Sequence, residues 1–259
     1  MARILLIVVA GYSGFCCLMY VSQDQLLFFP RPNHAEAATA LADRGWQTTN
    51  GGATLRGWLL PSPKGAEAPL VLYFGGNAQD IALIAATRQV AANQLFLNYR
   101  GYGSSEGEPS AAAFKADALH IYDRAVASIP HNGNVIAQGR SLGSGVATYL
   151  AAHRPIAGLI LVTPYDSIAN VASELYPWLP VSWLLEHHFD SAVLAPNIRQ
   201  PALFLLAGRD HVIPHARSEA LANVWGGPIE IKMFPSATHN SIGSTAEAKA
   251  VVAEFISRF

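Results

Sequence analysis

One stretch of the sequence restricts the fold more than any other: an apolar run that ends in Gly-x-Ser-x-Gly. Residues 134–138 form the run, and Gly139-Arg140-Ser141-Leu142-Gly143 follows directly. Residues 144–152 are small and compatible with a helix. A nucleophile elbow requires a strand, a sharp turn and a helix in this order, with glycines that keep Cβ atoms out of the turn. We therefore expect Ser141 at the tip of the turn, at the carboxyl end of a sheet.

The motif alone is common by chance because Gly and Ser are common, and a polar strand-to-helix loop is the alternative interpretation. Alternation of apolar strands with helices along the rest of the chain favours the elbow. Strands buried on both faces predict an α/β fold with a mostly parallel central sheet flanked by helices, and the alternating pattern at 54–60 predicts one antiparallel strand. Predicted strands cover residues 54–60, 70–74, 95–97, 134–138, 158–162, 202–207 and 229–234, and predicted helices cover residues 80–92, 111–127, 144–153, 215–224 and 246–259.

Composition excludes several classes of protein. The 259 residues are 51% hydrophobic and only 14% charged, so the chain can bury a substantial core and is not disordered. A formal net charge of −1 gives no electrostatic reason to expect a nucleic-acid partner. The two cysteines, Cys16 and Cys17, are adjacent and cannot form a disulfide framework.

The first segment of the chain has the length and composition of a membrane span. Residues 4–21 are apolar or small and uncharged, and a helix of this length reaches about 27 Å, close to the thickness of a hydrocarbon core. A cleaved signal peptide is the alternative, but no small-x-small cleavage site follows. We expect a membrane anchor in residues 1–22 and the main domain in residues 23–259. The first part of that domain, residues 25–32, is expected to be a linker that lies against the membrane or the domain.

Charges on either side of the anchor predict its orientation. Arg3 and the α-amino group precede the apolar segment, Asp24 follows it, and no Lys or Arg comes next until Arg31. The positive-inside rule then places the N-terminus in the cytoplasm. The main domain is expected to be extracytoplasmic, and periplasmic if the source is bacterial.

Two polar residues that follow later strands suit a serine nucleophile. A serine hydroxyl needs a base to take its proton and a third group to orient that base. Asp210 follows the strand at 202–207, and His239 follows the strand at 229–234. Because the carboxyl ends of parallel strands lie at one edge of a sheet, we expect both residues near Ser141. Ser141 is then the nucleophile, His239 the base and Asp210 the orienting acid.

Other polar residues compete for these roles. Asp166 is a rival acid that we expect to cap the following segment, and His211 is a rival base beside Asp210, although neighbouring side chains usually point apart. His187 and His188 suggest a metal site but lack further ligands at suitable spacing, so they are more simply surface residues. We expect no metal and no cofactor.

A tetrahedral intermediate needs two backbone N–H donors aimed at one oxygen. We expect one from Leu142, directly after the nucleophile, and one from Asn77 in the glycine turn that follows the strand at 70–74. An ordinary tight turn at Gly75-Gly76 is a compatible alternative.

Residues 163–196 interrupt the strand–helix alternation with aromatic residues and prolines. They predict a small cap over the site, or a pair of surface helices that covers the sheet.

The sequence resembles the α/β-hydrolase superfamily, in its serine aminopeptidase-like and prolyl-oligopeptidase-like branch. It looks closest to N-terminally anchored hydrolases that include depalmitoylating enzymes. The resemblance implies the α/β-hydrolase fold and a Ser-His-Asp triad. Such proteins usually carry a His where this chain has Gly75, and that His helps brace the oxyanion loop. Tyr99, Arg100 and Tyr102 then belong to a loop beside the site, with no catalytic role. The matching stretches are LLFFP, LYFGGNA, NYRGYGSSEGEPS, GRSLGSGVA, FDS, GRDHVIP and THN.

Three functions remain open. The first is a membrane-anchored serine hydrolase that cleaves esters or thioesters of a small or lipid-like acyl substrate, and that is a monomer. The second is a peptidase that releases N-terminal residues, which needs acidic groups such as Glu174 or Glu186 in the cap to bind a substrate ammonium. The third is a scaffold that keeps the fold without catalysis, against which the presence of Ser141, Asp210 and His239 argues.

Overall fold

A computed structural model describes residues 1–88 and 91–259. Its centre is an eight-stranded sheet, which confirms the predicted α/β class. Most of the strands are short and buried, as the continuous apolar runs predict. The strands are β1 (Gly45–Asn50), β2 (Ala53–Leu60), β3 (Leu70–Phe74), β4 (Asn93–Leu97), β5 (Val135–Arg140), β6 (Gly158–Val162), β7 (Ala202–Arg209) and β8 (Ile229–Thr238).

The strands lie in the order β1-β2-β4-β3-β5-β6-β7-β8. β2 pairs antiparallel with both β1 and β4, and every pair from β4 to β8 is parallel. The alternating pattern at 54–60 therefore predicted β2 correctly. Since parallel strands point the same way, the residues that follow β3, β5, β7 and β8 share one edge of the sheet.

Helices cover both faces of the sheet because successive strand residues point to opposite faces. Leu159 of β6 packs in a cluster that contains Leu150, whereas Ile160 packs in a second cluster that contains Val252. The helices are α1 (Ala2–Val21), α2 (Gln23–Leu27), α3 (Ala35–Ala40), α4 (Ile81–Ala86), α5 (Ala111–Ser128), α6 (Leu142–His153), α7 (Ile168–Leu175), α8 (Val181–Leu184), α9 (Ser191–Leu194), α10 (His215–Asn223) and α11 (Ala246–Ile256).

Several element boundaries differ from those expected. The helix predicted over 80–92 is α4, which ends at Ala86; residues 89 and 90 of that prediction lie outside the described residues. α11 ends at Ile256 rather than at the last residue. β1 has no predicted counterpart, because it is an edge strand with little apolar patterning. β7 and β8 run further than their apolar segments, to Arg209 and Thr238.

α1 has 20 residues, none of them buried, and is long and apolar enough to cross a membrane. A signal sequence near the N-terminus can also be this long and apolar. The segment after α1 docks on the main domain: Phe28 is buried, and its ring lies 5.3 Å from that of Phe114, centroid to centroid. The predicted linker is therefore packed against the domain, partly as α2.

Residues 163–196 form three short helices, α7, α8 and α9, which we call the cap. α1 contacts the cap directly. The Tyr12 hydroxyl donates a hydrogen bond to the Trp178 carbonyl oxygen at 2.7 Å, and the ring centroids of Phe15 and Trp178 lie 5.3 Å apart. The Tyr20 hydroxyl also donates to the Glu186 carboxylate. The proposed boundary after residue 22 thus separates two parts of the chain that touch.

Candidate active site

The turn that carries Ser141 has the backbone of a nucleophile elbow. β5 ends at Arg140 and α6 begins at Leu142, so Ser141 alone makes the turn. Its φ of 50° is one that residues with a Cβ rarely adopt, and its N–H donates to the Val162 carbonyl at 2.9 Å. Strain of this kind at a single serine is typical of a nucleophile elbow, which directs the hydroxyl away from the end of its strand.

The flanking glycines leave no room for side chains. A Cβ at Gly139 would lie 2.2 Å from the Gly143 carbonyl oxygen, and one at Gly143 would lie 2.1 Å from the Phe74 oxygen. These neighbours are backbone atoms and cannot swing away. The close approach also brings the elbow against the end of β3, where the loop with Asn77 begins.

The structure brings the three residues of the expected triad together. Asp210 directly follows β7 and His239 directly follows β8. His239 Nδ1 lies 2.8 Å from Asp210 Oδ2, and His239 Nε2 lies 3.0 Å from Ser141 Oγ. Both distances are those of hydrogen bonds, and Ser141 and His239 are buried.

Asp210 is built to stay ionised. Burial raises its pKa, but the hydrogen bond with His239 and two backbone N–H donors outweigh that effect, so the pKa lies below its ordinary value. The donors are Val212 and Ile213, each 2.8 Å from Oδ1. The carboxylate therefore stabilises the fold above the ordinary pKa of about 4, and this contribution is lost as pH falls through the lowered pKa.

The rival residues have other partners. Asp166 is buried and accepts hydrogen bonds from the Ser167 N–H at 2.8 Å and from Asn170 Nδ2 at 2.7 Å. The expectation that Asp166 caps α7 was wrong by one residue, because the Ser167 hydroxyl accepts from the Asn170 N–H at 3.0 Å as the N-cap. His211 is exposed. His187 Nε2 lies 2.5 Å from Asp24 Oδ1, in the short helix α2 that follows α1. Within residues 1–88 and 91–259, no three metal-ligating side chains cluster together.

The loop after β3 is held by several hydrogen bonds. The Gly76 N–H donates to Gln79 Oε1 at 2.8 Å, and the Asn77 side chain donates to the Leu27 carbonyl at 2.6 Å. Asn77 Oδ1 accepts from the Phe29 N–H at 3.0 Å. The Asn77 side chain is therefore turned toward the N-terminal segment. Across the elbow, Leu142 is the first residue of α6, so its N–H has no acceptor within the helix.

Two tyrosines brace this loop, a role that the sequence did not predict. The Tyr99 hydroxyl donates to the Gly75 carbonyl at 2.8 Å, and the Tyr102 hydroxyl donates to Asn77 Oδ1 at 2.7 Å. Burial raises the pKa of both phenols, so they remain protonated donors. Their position after β4, the parallel neighbour of β3, was the available signal.

The glycine that replaces the family's usual His fits this arrangement. A Cβ at Gly75 would lie 2.4 Å from Ile81 Cδ1, so a side chain there would have to displace Ile81. Tyr99 and Gln79 supply the hydrogen bonds that hold the loop instead. The loop is thus held by residues other than the family's usual His.

Arg140, which sequence reasoning also passed over, connects both sides of the site. Its Nη2 donates to the His239 carbonyl at 2.7 Å and to Asn240 Oδ1 at 3.0 Å. A Cβ at Gly76 would lie 2.6 Å from Arg140 Nη1, so the guanidinium packs directly against the loop after β3. Arg140 therefore links the segment that carries His239 to the loop that carries Asn77.

Comparison with known proteins gives several relatives, although no family profile matches the sequence. The uncharacterized protein Rv2307c of Mycobacterium tuberculosis is 32% identical over 236 residues, which cover 88% of this chain and 84% of the relative. The α/β hydrolase domain-containing protein WAV2 of Arabidopsis thaliana is 26% identical, over 80% of this chain and 76% of its own. The lysophosphatidylserine lipase ABHD12 of Xenopus tropicalis is 32% identical, over 60% of this chain and 46% of its own.

Solved structures agree on the fold. The Pyrococcus furiosus esterase Pf2001 superimposes with a TM-score of 0.66 at 16% identity, over 90% of this chain and 98% of its own. The order of the strands and the elbow between β5 and α6 indicate the same family as the relatives do. The chain belongs to the α/β-hydrolase superfamily, as a member with an N-terminal apolar helix.

Proposed function

We propose that the protein is a serine hydrolase that cleaves carboxylic esters or thioesters through an acyl-enzyme. The observation that carries this proposal is the continuous hydrogen-bonded path from Ser141 Oγ through His239 to Asp210. Such a path lets the imidazole accept the serine proton while the carboxylate fixes its orientation. The hydrolase relatives support the same reaction class.

In the proposed reaction, Ser141 Oγ attacks the substrate carbonyl and gives its proton to His239 Nε2. Asp210 holds the proton on His239 Nδ1 and stabilises the imidazolium. The N–H groups of Leu142 and Asn77 bind the oxyanion. Collapse expels the alcohol or thiol, which takes the proton from His239. Water then attacks the acyl-enzyme with His239 again as the base, and regenerates the free serine.

Peptidase activity is the weaker alternative because the acidic residues of the cap are already paired. Glu174 Oε2 lies 3.1 Å from Arg217 Nε, and Glu186 accepts from the Tyr20 hydroxyl. A substrate ammonium would therefore have to compete with Arg217 for Glu174, and would share Glu186 with the Tyr20 hydroxyl. One relative, ABHD12, is a lysophosphatidylserine lipase, which also favours ester chemistry.

A panel of chromogenic substrates tests the choice of bond. Nitrophenyl esters of short and medium acyl chains should be cleaved well, and aminoacyl nitroanilides should not, as measured by kcat/KM. Each buried methylene contributes roughly 0.8 kcal/mol, so adjacent chain lengths should differ by about fourfold. A flat ester profile with fast anilide cleavage would favour the peptidase. A Ser141 that takes no fluorophosphonate label, with no turnover of either substrate, would favour the scaffold.

We further propose that α1 remains attached as a single-span membrane anchor and that the domain of residues 23–259 lies outside the cytoplasm. The absence of charge in residues 4–21 supports the span, and Arg3 at the N-terminal end of α1 supports this orientation. The full-length protein should stay in the membrane fraction after a high-salt wash, because salt does not screen apolar burial. A soluble protein whose first residue lies near Ser22 would show that the segment is a cleaved signal.

A further inference from the structure

A cleft of about 210 Å³ lies between the C-terminal end of α1, the segment that follows it, and the cap. Apolar side chains from all three parts face it, so no single element forms the cleft. A polar ligand would lose its hydration there without replacement, whereas a hydrocarbon would gain burial. The lining includes Met19, Leu27, Phe29, Tyr176, Leu179 and Leu184.

The one amide on the wall of the cleft is fully engaged. Gln23 Nε2 donates to the Tyr20 carbonyl at 2.9 Å and to the Leu184 carbonyl at 3.3 Å. Its Oε1 accepts from the Glu186 N–H at 2.8 Å. Gln23 thus ties the end of α1 to the cap and offers little to a polar ligand.

The cleft adjoins the proposed oxyanion loop. Its lining includes Leu27 and Phe29, whose backbone groups hold the side chain of Asn77. The same loop begins at the end of β3, where the backbone of Phe74 approaches Gly143 of the elbow. Leu27 and Phe29 therefore connect the apolar cleft to the loop that carries Asn77.

We propose that this cleft binds the single acyl chain of a membrane-resident monoacyl ester, and that the end of α1 is part of the acyl-binding site. The inference rests on the proposed serine hydrolase function and names its substrate class. A volume of about 210 Å³ is below the ~300 Å³ at which sites for drug-sized ligands begin, which suits one chain and not two. α1 thus forms part of the specificity pocket as well as the anchor.

The surface around the cleft suits a bilayer interface. Trp183 is 87% exposed and Trp178 is 54% exposed, and both lie on the cap beside α1. Phe29 is also about half exposed. Tryptophan concentrates at membrane–water interfaces, where its ring is partly buried and its N–H remains hydrated. An acyl chain could then pass from the bilayer into the cleft without crossing water.

The test compares full-length variants in phosphatidylcholine vesicles, with nitrophenyl acetate through nitrophenyl decanoate as probes. Leu184→Trp fills the cleft, so the ratio of kcat/KM for decanoate to that for acetate should fall about 50-fold, as expected when about three methylenes lose their burial. Val193→Trp is the matched control, because Val193 is exposed on α9 and outside the cleft. It should leave the ratio unchanged.

A second variant tests the contribution of α1 without adding bulk. Met19→Ala enlarges the cleft from the anchor side, so the preferred acyl chain should become longer by at least one methylene. An unchanged profile in Met19→Ala would remove α1 from the site. An equal loss on acetate and decanoate in Leu184→Trp, or the same shift in Val193→Trp, would overturn the acyl-cleft proposal. Wild-type protein that hydrolyses no ester and takes no fluorophosphonate would instead refute the proposed function.

Discussion

Replacing Ser141 with Ala should abolish hydrolysis and leave a folded protein. By analogy with other serine triads, kcat should fall by a factor on the order of 10⁶. The proposed mechanism has no other nucleophile, since the oxygen that attacks the carbonyl is Ser141 Oγ. The measurement is ester hydrolysis under single-turnover conditions, with circular dichroism to show that the fold is intact.

Matched experiments sharpen this expectation. Ser141→Ala should also lose fluorophosphonate labelling, whereas Ser144→Ala should keep it. The Ser144 hydroxyl is fully buried and donates to the Ser141 carbonyl, so the probe cannot react with it. His239→Ala should approach the loss seen in Ser141→Ala, since both act in the same proton transfer. Unchanged turnover in Ser141→Ala would refute the mechanism.

Asp210→Asn should lower kcat by about 10⁴ with little change in structure. Asn can still accept hydrogen bonds from the Val212 and Ile213 N–H groups through its oxygen. Its amide would then face His239 Nδ1 as a donor and favour the wrong imidazole tautomer. The measurement is kcat across a range of pH, which separates the loss of the tautomer from a shift in the pH optimum.

Asp166→Asn is the control for the assignment of the acid. The side chain of Asp166 is as inaccessible as that of Asp210, but it accepts from Asn170 and also pairs with Arg217, whose Nη1 lies 3.2 Å from Oδ2. Loss of a charged hydrogen-bond acceptor should cost about 2 kcal/mol in the free energy of unfolding. Turnover should change little. If Asp166→Asn lowered kcat as much as Asp210→Asn, the assignment of Asp210 would be wrong.

The parts of the fold that sequence patterns predicted correctly depend on short-range physics. The strands β3 and β6 were predicted with their observed ends, because each is a continuous apolar run bounded by turn residues or polar groups. The elbow was recognised from a five-residue motif whose flanking glycines leave room for the tight turn. Parallel strands then place the residues that follow them along one edge, which is why Ser141, Asp210 and His239 could be proposed as neighbours from the sequence.

Element ends were less predictable where tertiary contacts extend or shorten a segment. β8 continues past Pro235 to Thr238, and β7 continues to Arg209, because the two strands keep pairing beyond their apolar cores. The pairing is shifted between Ala207 and Arg209, which no apolar pattern records. This extension places Asp210 and His239 directly at the strand ends.

The sequence by itself determined the fold class, the elbow and the candidate triad, because these follow from local steric patterns and strand order. Only the tertiary structure decided how the loop after β3 is braced and where the apolar cleft lies. Tyr99 contacts Gly75 across 24 positions of sequence, and Tyr12 contacts Trp178 across 166. Contacts at such separations depend on how whole elements pack, so no periodicity or motif in either segment carries them.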